Sequence, residues 1–416
     1  MEHFHYDPFK VLWQPNPAAP PTRVYSELYN SDAFLKAHRE LQDSPPPPGC
    51  TRPRVVTGLM FWSDETHLAN FSAARLWPLY MFFGNESKYR CAKPSLNLCQ
   101  HVAYFEKPSE EFQEFVTSKF RGRLPPKSFL AHCKMEMFHA QWEILLDDRL
   151  LDAIKNGIVL MCQDGIERRF YIRIFTYSAD YPEKVLIATI RNIGDCPCPR
   201  CLVTKKNLDQ LGTEADVRTR RDQARQDNEA RRELVQKALS KIQREGAALS
   251  RKTVDDLLKP QSLQPVMNAF SKRLKSTKFD IFSALVVDLL HEFELGVWKS
   301  LFIHLIRILE ASQKHEVLVH ELDKCVRQDN PSVLLKSFQY EEEGRSRLRG
   351  SATGMLISLS LSQSSLNFER SALFLFLTAC FQTKNTAEQF SRYYPYAQGG
   401  MRSQNFECKR MLRYNS

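Results

Sequence analysis

Two acidic residues stand at the ends of apolar runs, and their types and placing are what suggest chemistry. Asp64 closes the run Val55 to Ser63, and Asp180 closes the run Arg169 to Ala179. Both runs are rich in β-branched and aromatic residues, which reads as strand. Carboxylates delivered by two neighbouring strands can hold divalent metal ions for phosphodiester chemistry. A single Asp at a strand end is most often a turn or cap residue. The repeated design, two strands each ending in an acid, is what points beyond that. Asp164 is a third acid beside an apolar run, but Asp164-Gly165 carries turn chemistry and ranks below Asp180.

A second constellation is Cys198-Pro199-Arg200-Cys201. Two thiolates separated by two residues can grip one tetrahedral ion, and the prolines stiffen the turn. A closed site needs two more ligands, and the chain has no second CxxC. His291 is the nearest candidate, with Asp288 one helical turn before it and Cys196 as a further option. The bland alternative is a structural turn with reduced thiols, and a His beside an Asp that simply share a local hydrogen bond. Glu292 and Glu294 follow at once and could supply a third catalytic carboxylate, or face solvent. Walker and dinucleotide-binding glycine loops are missing, as is a serine-nucleophile elbow.

These residues need elements to position them. Val55 to Ser63, Leu76 to Phe83 and Leu98 to Phe105 read as three strands of an antiparallel meander. Ser109 to Phe120 and His132 to Asn156 carry helical spacing, with Gly157 as a stop. Ile158 to Cys162, a turn at Asp164-Gly165 and the strand ending at Asp180 follow, and Val185 to Ile190 reads as one more strand. A short helix is expected at Ser31 to Gln42. Leu211 to Leu258 is rich in Arg, Gln, Glu, Ala and Lys, which reads as long solvated helices projecting from the core. Arg220, Arg221, Arg231 and Arg232 are its candidate DNA contacts. Phe279 to Leu309 returns to an apolar helical pattern, and the Ser-rich tract Ser351 to Ser365 has no clear period.

Composition bounds the rest. The chain has 416 residues, 43% of them hydrophobic, enough for a substantial core. A formal charge of +10 favours a polyanionic partner. Met1 to Pro8 lacks the apolar centre of a secretory signal. The eleven cysteines are therefore expected to be reduced thiols of an intracellular protein. The apolar run Ser371 to Phe381 is too short to span a bilayer, so no membrane partner is expected.

Taken together, the segments Phe61 to Leu68, Gly165 to Tyr171, Tyr177 to Lys184, Cys196 to Cys201 and Asp288 to Glu294 resemble the Plavaka transposases. These are cut-and-paste DNA transposases abundant in mushroom-forming fungi. The resemblance runs from about Pro8 to about Leu309, and its motifs are specific in combination. It implies an α/β fold, a ribonuclease H-like mixed sheet with a helical insertion, followed here by an irregular C-terminal region. It implies Asp64 and Asp180 as the first two acids of a DDE site using Mg2+ (or Mn2+), with transposon-end DNA as partner in the nucleus. It makes Asp288-x-x-His291 look like the C/DxxH motif of several transposase superfamilies, and a structural Zn2+ at Cys198, Cys201 and His291 is expected beside it. Homo-oligomeric assembly is open to such a protein.

The domain organisation expected from this is a Pro-rich lead-in over 1–53 and the first part of the catalytic core with its CxxC knuckle over 54–201. A charged helical insertion over 202–278 follows, then a helical part of the core with the DxxH motif over 279–327, and a divergent region over 328–416. Relatives are usually longer on both sides, so the chain reads as an internal piece or a degenerate copy. The third acid is not where the resemblance would place it. Glu292 and Glu294 are close to the DxxH motif, and Glu369 is the other candidate. Catalytic incompetence is therefore expected. The alternatives are a DNA-binding or protein-interaction remnant, or the product of a pseudogene.

Overall fold

A computed structural model of the protein describes residues 3–67, 75–249 and 251–311. At its centre is a five-stranded mixed sheet of order β7-β6-β3-β9-β8. Its strands are β3 (Arg54–Ser63), β6 (Pro78–Phe83), β7 (Gln100–Tyr104), β8 (Ile158–Met161) and β9 (Glu167–Ser178). Two small hairpins lie outside it: β1 (Val11–Trp13) with β2 (Thr22–Val24), and β4 (Thr66–His67) with β5 (Arg75–Leu76). The pairs β3–β6, β6–β7 and β8–β9 are antiparallel, whereas β3–β9 is parallel. A parallel pair needs a crossover. It is made here by α3 (Glu110–Lys119), α4 (Lys127–Leu145) and α5 (Asp148–Lys155), after the short α2 (Lys88–Cys91). A meander, a helical crossover and a return beside the first strand make a mixed α/β architecture compatible with a ribonuclease H-like fold.

The two central strands are buried on both faces, which is why their sequences read as nearly continuous apolar runs. On one face α4 lays Phe138 and Trp142 over Leu59, Phe61, Ile172, Ile174 and Tyr177, all in the main core. Trp142 packs edge-on against Phe61 and Tyr177, at ring separations of 5.4 Å for each. On the other face α1 (Asp32–Asp43), capped by Ser31, brings Phe34 and Leu41 against Val56 and Tyr171. Phe34 stacks on Phe175 with centroids 5.0 Å apart. Gly58 permits this approach, because a Cβ there would stand 3.0 Å from Phe34 and 3.1 Å from Phe175. Residues 1–53 are thus more than a lead-in: they supply one layer of the fold.

Three expectations are corrected. The helix expected over His132 to Asn156 is two helices, broken at Leu146 where Asp147 caps α5 by accepting from Leu150 N–H at 2.8 Å. The strand expected at Val185 to Ile190 is instead the end of helix α6 (Tyr181–Ile187) and the turn after it. A six-residue apolar run does not distinguish strand from buried helix. Asp180 at the cap and Pro182 in the first turn decide for helix.

The charged insertion is helical, in α7 (Glu214–Asp222), α8 (Glu229–Gln243) and α9 (Lys252–Leu258), but it does not project. Val235, Ala238, Leu239, Ala247, Val254 and Leu258 join the main core with α10 (Ala269–Arg273) and α11 (Ile281–Ala284). Few apolar residues suffice when they share one face, and burying each Val or Leu contributes roughly 1.5–3 kcal/mol.

The described residues divide into two compact units, the first ending at Val287 and the second beginning at Asp288. The second holds a π-helical stretch (Leu289–Trp298) continued by α12 (Lys299–Ala311). The region expected to diverge, 328–416, and with it Glu369, lies outside the described residues. Among the described residues no helix is long and apolar enough to cross a membrane.

Candidate active site

Strands β3 and β9 run side by side, and in their ladder Trp62 pairs with Ser178. Asp64 and Asp180 each follow by two residues, so both leave the sheet at the same level. Both are half-buried. Asp180 also caps α6: its Oδ1 accepts the Glu183 N–H at 2.8 Å. The cap uses one carboxylate oxygen and fixes the side chain's rotation.

Between the two strand ends sits Glu183, 5% exposed. Trp77 Nε1 donates to its Oε2 at 2.8 Å, Tyr177 OH to its Oε1 at 3.4 Å, and Ser63 Oγ also donates to Oε1. The Ser63 and Tyr177 hydroxyls lie 2.8 Å apart. Burial pushes the Glu183 carboxyl up to about 8, against the hydrogen bonds from Ser63 and Trp77, and the charges of Asp180 and Asp64 push the same way. Both aspartates therefore lie within electrostatic reach of this one group.

A rim of opposite charge borders the pair. Glu65, next to Asp64, is bonded to Lys107 and to Arg75, the latter at 3.1 Å. Burial works to raise its pKa, but the two cations outweigh that and hold it below the usual carboxylate value. Lys134 of α4 lies with its Nζ 5.3 Å from the Trp77 ring centroid. Burial and the Lys107 charge lower its pKa, opposed by Glu65, Glu183 and Asp180.

Mg2+ is commonly held by one or two carboxylates, with waters and substrate phosphates completing its shell. Asp64 and Asp180 fit that donor set. Among the described residues no three His, Cys, Asp or Glu side chains gather as a metal cage. Glu183 does not make a third ligand, because its oxygens are turned inward to Trp77, Ser63 and Tyr177. Glu292 and Glu294 belong to the second unit. Sequence reasoning missed Glu183. Asp180-x-x-Glu183 has the spacing of a capping box, which normally sits at the surface with the Glu folded back on the cap.

The knuckle residues are also brought together. Arg200 N–H points to Cys198 Sγ at 3.3 Å, and Arg220 Nη1 lies 3.6 Å from Cys201 Sγ. A hydrogen bond from the Cys201 thiol lowers Cys198 to about 5, against its burial, with backbone N–H groups and Arg220 assisting. Cys201 is raised correspondingly, since it keeps the shared proton. Buried Arg225 ties the loop by donating to the carbonyls of Cys196, Cys198 and Gln261. Cys196 turns away toward the Pro260 carbonyl, 3.5 Å off. His291 belongs to the second unit, where Asp288 caps the π-helical stretch and its Oδ2 lies 3.3 Å from His291 Nδ1.

The four arginines of the insertion differ. Arg231 is 5% exposed and donates to the Ala188 carbonyl and Thr189 Oγ1, with its guanidinium over the Phe282 ring. It is a core residue, which corrects its expected place at a DNA surface. Arg220 is engaged with Asp216 at 2.7 Å, and Arg232 with Asp227 and Glu229 at 3.1 Å each. Arg221 is exposed.

A search of curated proteins gave no match. The family model for the Plavaka transposase matches residues 1–306, most of the chain and all of the first unit up to Val287. The chain belongs to the Plavaka transposase family.

Proposed function

We propose that this protein is the core of a DNA-binding transposase in which Asp64 and Asp180 hold a divalent cation, Mg2+ or Mn2+, against the backbone of transposon-end DNA. The observation that supports this most directly is the Trp62–Ser178 register, which sends both acids out of adjacent parallel strands at one level. Such a cation, when bound, neutralises phosphate charge and makes a coordinated water acidic. The chain's own contribution is to hold two carboxylates in fixed orientation, Asp180 through its helix cap. The net charge of +10 favours the phosphate backbone and makes affinity salt-dependent. A nuclear location follows from a DNA substrate, and homo-oligomeric assembly belongs to the same reading. Zn2+ held by the neighbouring thiols of Cys198 and Cys201 is its structural counterpart.

Strand cleavage is a further step, and we propose that it does not occur in this chain. The fully buried hydrogen bonds of Glu183 withdraw it from the ion, and no other described residue completes a cage with the aspartates. The experiment is binding and cleavage of terminal-repeat DNA with Mg2+ or Mn2+, comparing the chain with Asp64→Ala. Salt-dependent binding without cleavage is expected. Cleavage that disappears in the variant would overturn the silent-core reading and bring Glu292, Glu294 or Glu369 back as the third acid. No binding at low salt would overturn the DNA-binding reading itself.

A further inference from the structure

We propose that Glu183 is the positioning residue of the acidic pair: its buried carboxyl group ties the ends of β3 and β9 together and so sets the separation of Asp64 and Asp180. The inference rests on the reading of that pair as a cation site. It is carried by four contacts. Ser63, the last residue of β3, donates to Glu183 Oε1 and stands directly before Asp64. Tyr177, three residues before Asp180, donates to the same oxygen at 3.4 Å. Trp77, on the chain between β5 and β6, donates to Oε2 at 2.8 Å. The Glu183 backbone N–H completes the ring by holding Asp180 Oδ1 at 2.8 Å. One side chain and its own amide thus bind the residue before the first acid, the strand before the second, and the second acid itself.

The chemistry favours a tie over a ligand. Both carboxyl oxygens are already hydrogen-bonded, and at 5% exposure the group has little access to solvent or ion. Buried polar groups of this kind are costly unless fully bonded. A fully bonded one rigidifies its surroundings, because losing any partner leaves another polar group buried without one. Backbone hydrogen bonds of the ladder stop at Ser178. Just past that point the Glu183 hub joins the ends of the two strands. Outer-shell partners of this type typically change metal affinity by about 10- to 100-fold when removed.

The test uses the full chain and two readouts. Mn2+ affinity is measured by titration calorimetry for Glu183→Ala, Glu183→Gln and Trp77→Phe, with Leu258→Ala as a core variant outside the hub. Amide hydrogen exchange is measured for the same proteins without metal. Glu183→Ala is expected to weaken Mn2+ binding by about tenfold or more and to speed exchange at residues 63–65 and 178–180. Glu183→Gln keeps the shape and most of the hydrogen bonds, and restores both readouts substantially. Trp77→Phe removes only the indole donor and gives a smaller effect of the same kind. Leu258→Ala lowers the melting temperature but leaves both readouts at wild-type values. Wild-type exchange at the two strand ends in folded Glu183→Ala, or an equal local change in Leu258→Ala, would overturn the proposal. Failure of the cation reading has a different signature: Asp64→Asn would bind Mn2+ as the wild type does, or neither would bind it. The exchange data would then still decide whether Glu183 ties the strands.

Discussion

Trp62 pairs with Ser178 in the parallel ladder of β3 and β9, and each stands two residues before an aspartate. Parallel strands advance at the same rise per residue, so equal offsets from a paired position bring Asp64 and Asp180 just past the same end of two adjacent strands. The two segments stand over a hundred residues apart in the sequence, and the parallel ladder brings their ends together.

The first expected outcome concerns this pair. Asp64→Asn and Asp180→Asn should each weaken Mn2+ binding by at least about tenfold, the lower end of what changes to a metal's surroundings cost. Asn at position 180 keeps an oxygen for the α6 cap, so folding should survive. Calorimetric titration beside a thermal melt separates the two effects. Unchanged affinity in both variants would remove the cation site.

Acid stability should carry the mark of His139. Its Nδ1 accepts the Ala269 N–H at 3.2 Å and its Nε2 lies 2.9 Å from the Leu186 carbonyl, so it joins α4, α6 and α10 as a neutral ring. Burial lowers its pKa from 6.5 to about 4, and the Arg231 charge acts in the same direction. The unfolded chain binds this proton first, so stability is full above about pH 6.5 and falls as pH drops toward 4. The loss reaches about 3 kcal/mol at most, taking 1.36 kcal/mol per unit. Urea denaturation between pH 7 and pH 4 should show a shallower decline for His139→Gln, from a lower starting stability. Parallel curves would assign the decline to other groups.

Charge reversal should sort the arginines by burial. Arg221→Glu is expected to leave the fold intact and to weaken DNA binding while flattening its salt dependence, if α7 faces the DNA backbone. Arg231→Glu should unfold the chain, since it places an acid beside Asp227 and breaks bonds that join α8 to the end of α6. Breaking a buried charged pair costs about 3–5 kcal/mol. Circular dichroism and a filter-binding salt series read both. Unchanged binding in Arg221→Glu would leave α7 to solvent or to protein contacts.

Metal content tests the knuckle. Purified protein is expected to carry zinc that is lost in Cys198→Ser and in Cys201→Ser. Thiolate character at Cys198 suits a zinc ligand, while Arg220 beside Cys201 must give way to the ion. Elemental analysis showing no zinc in the wild type would leave Cys198 and Cys201 as a hydrogen-bonded thiol pair.

Local sequence was enough to determine the strands that carry the acids, because an apolar β-branched run ended by a turn-forming Asp says the same thing wherever it sits. The meander of β3, β6 and β7 was legible in that way. So was the family, through five short segments taken together. Tertiary structure decided what depends on partners distant in the chain. Val185 to Ile187 became helix because Asp180 and Pro182 start one and the core accepts its apolar side. The insertion packed inward because a handful of Val, Ala and Leu positions share a face, which composition averages away. Arg231 and Glu183 looked like surface charges by type. They are buried because Thr189 and Ala188 receive one and Trp77, Ser63 and Tyr177 receive the other. A polar or charged group is stable inside only where the fold gathers such partners, and Trp77 stands 106 positions from Glu183 in the sequence.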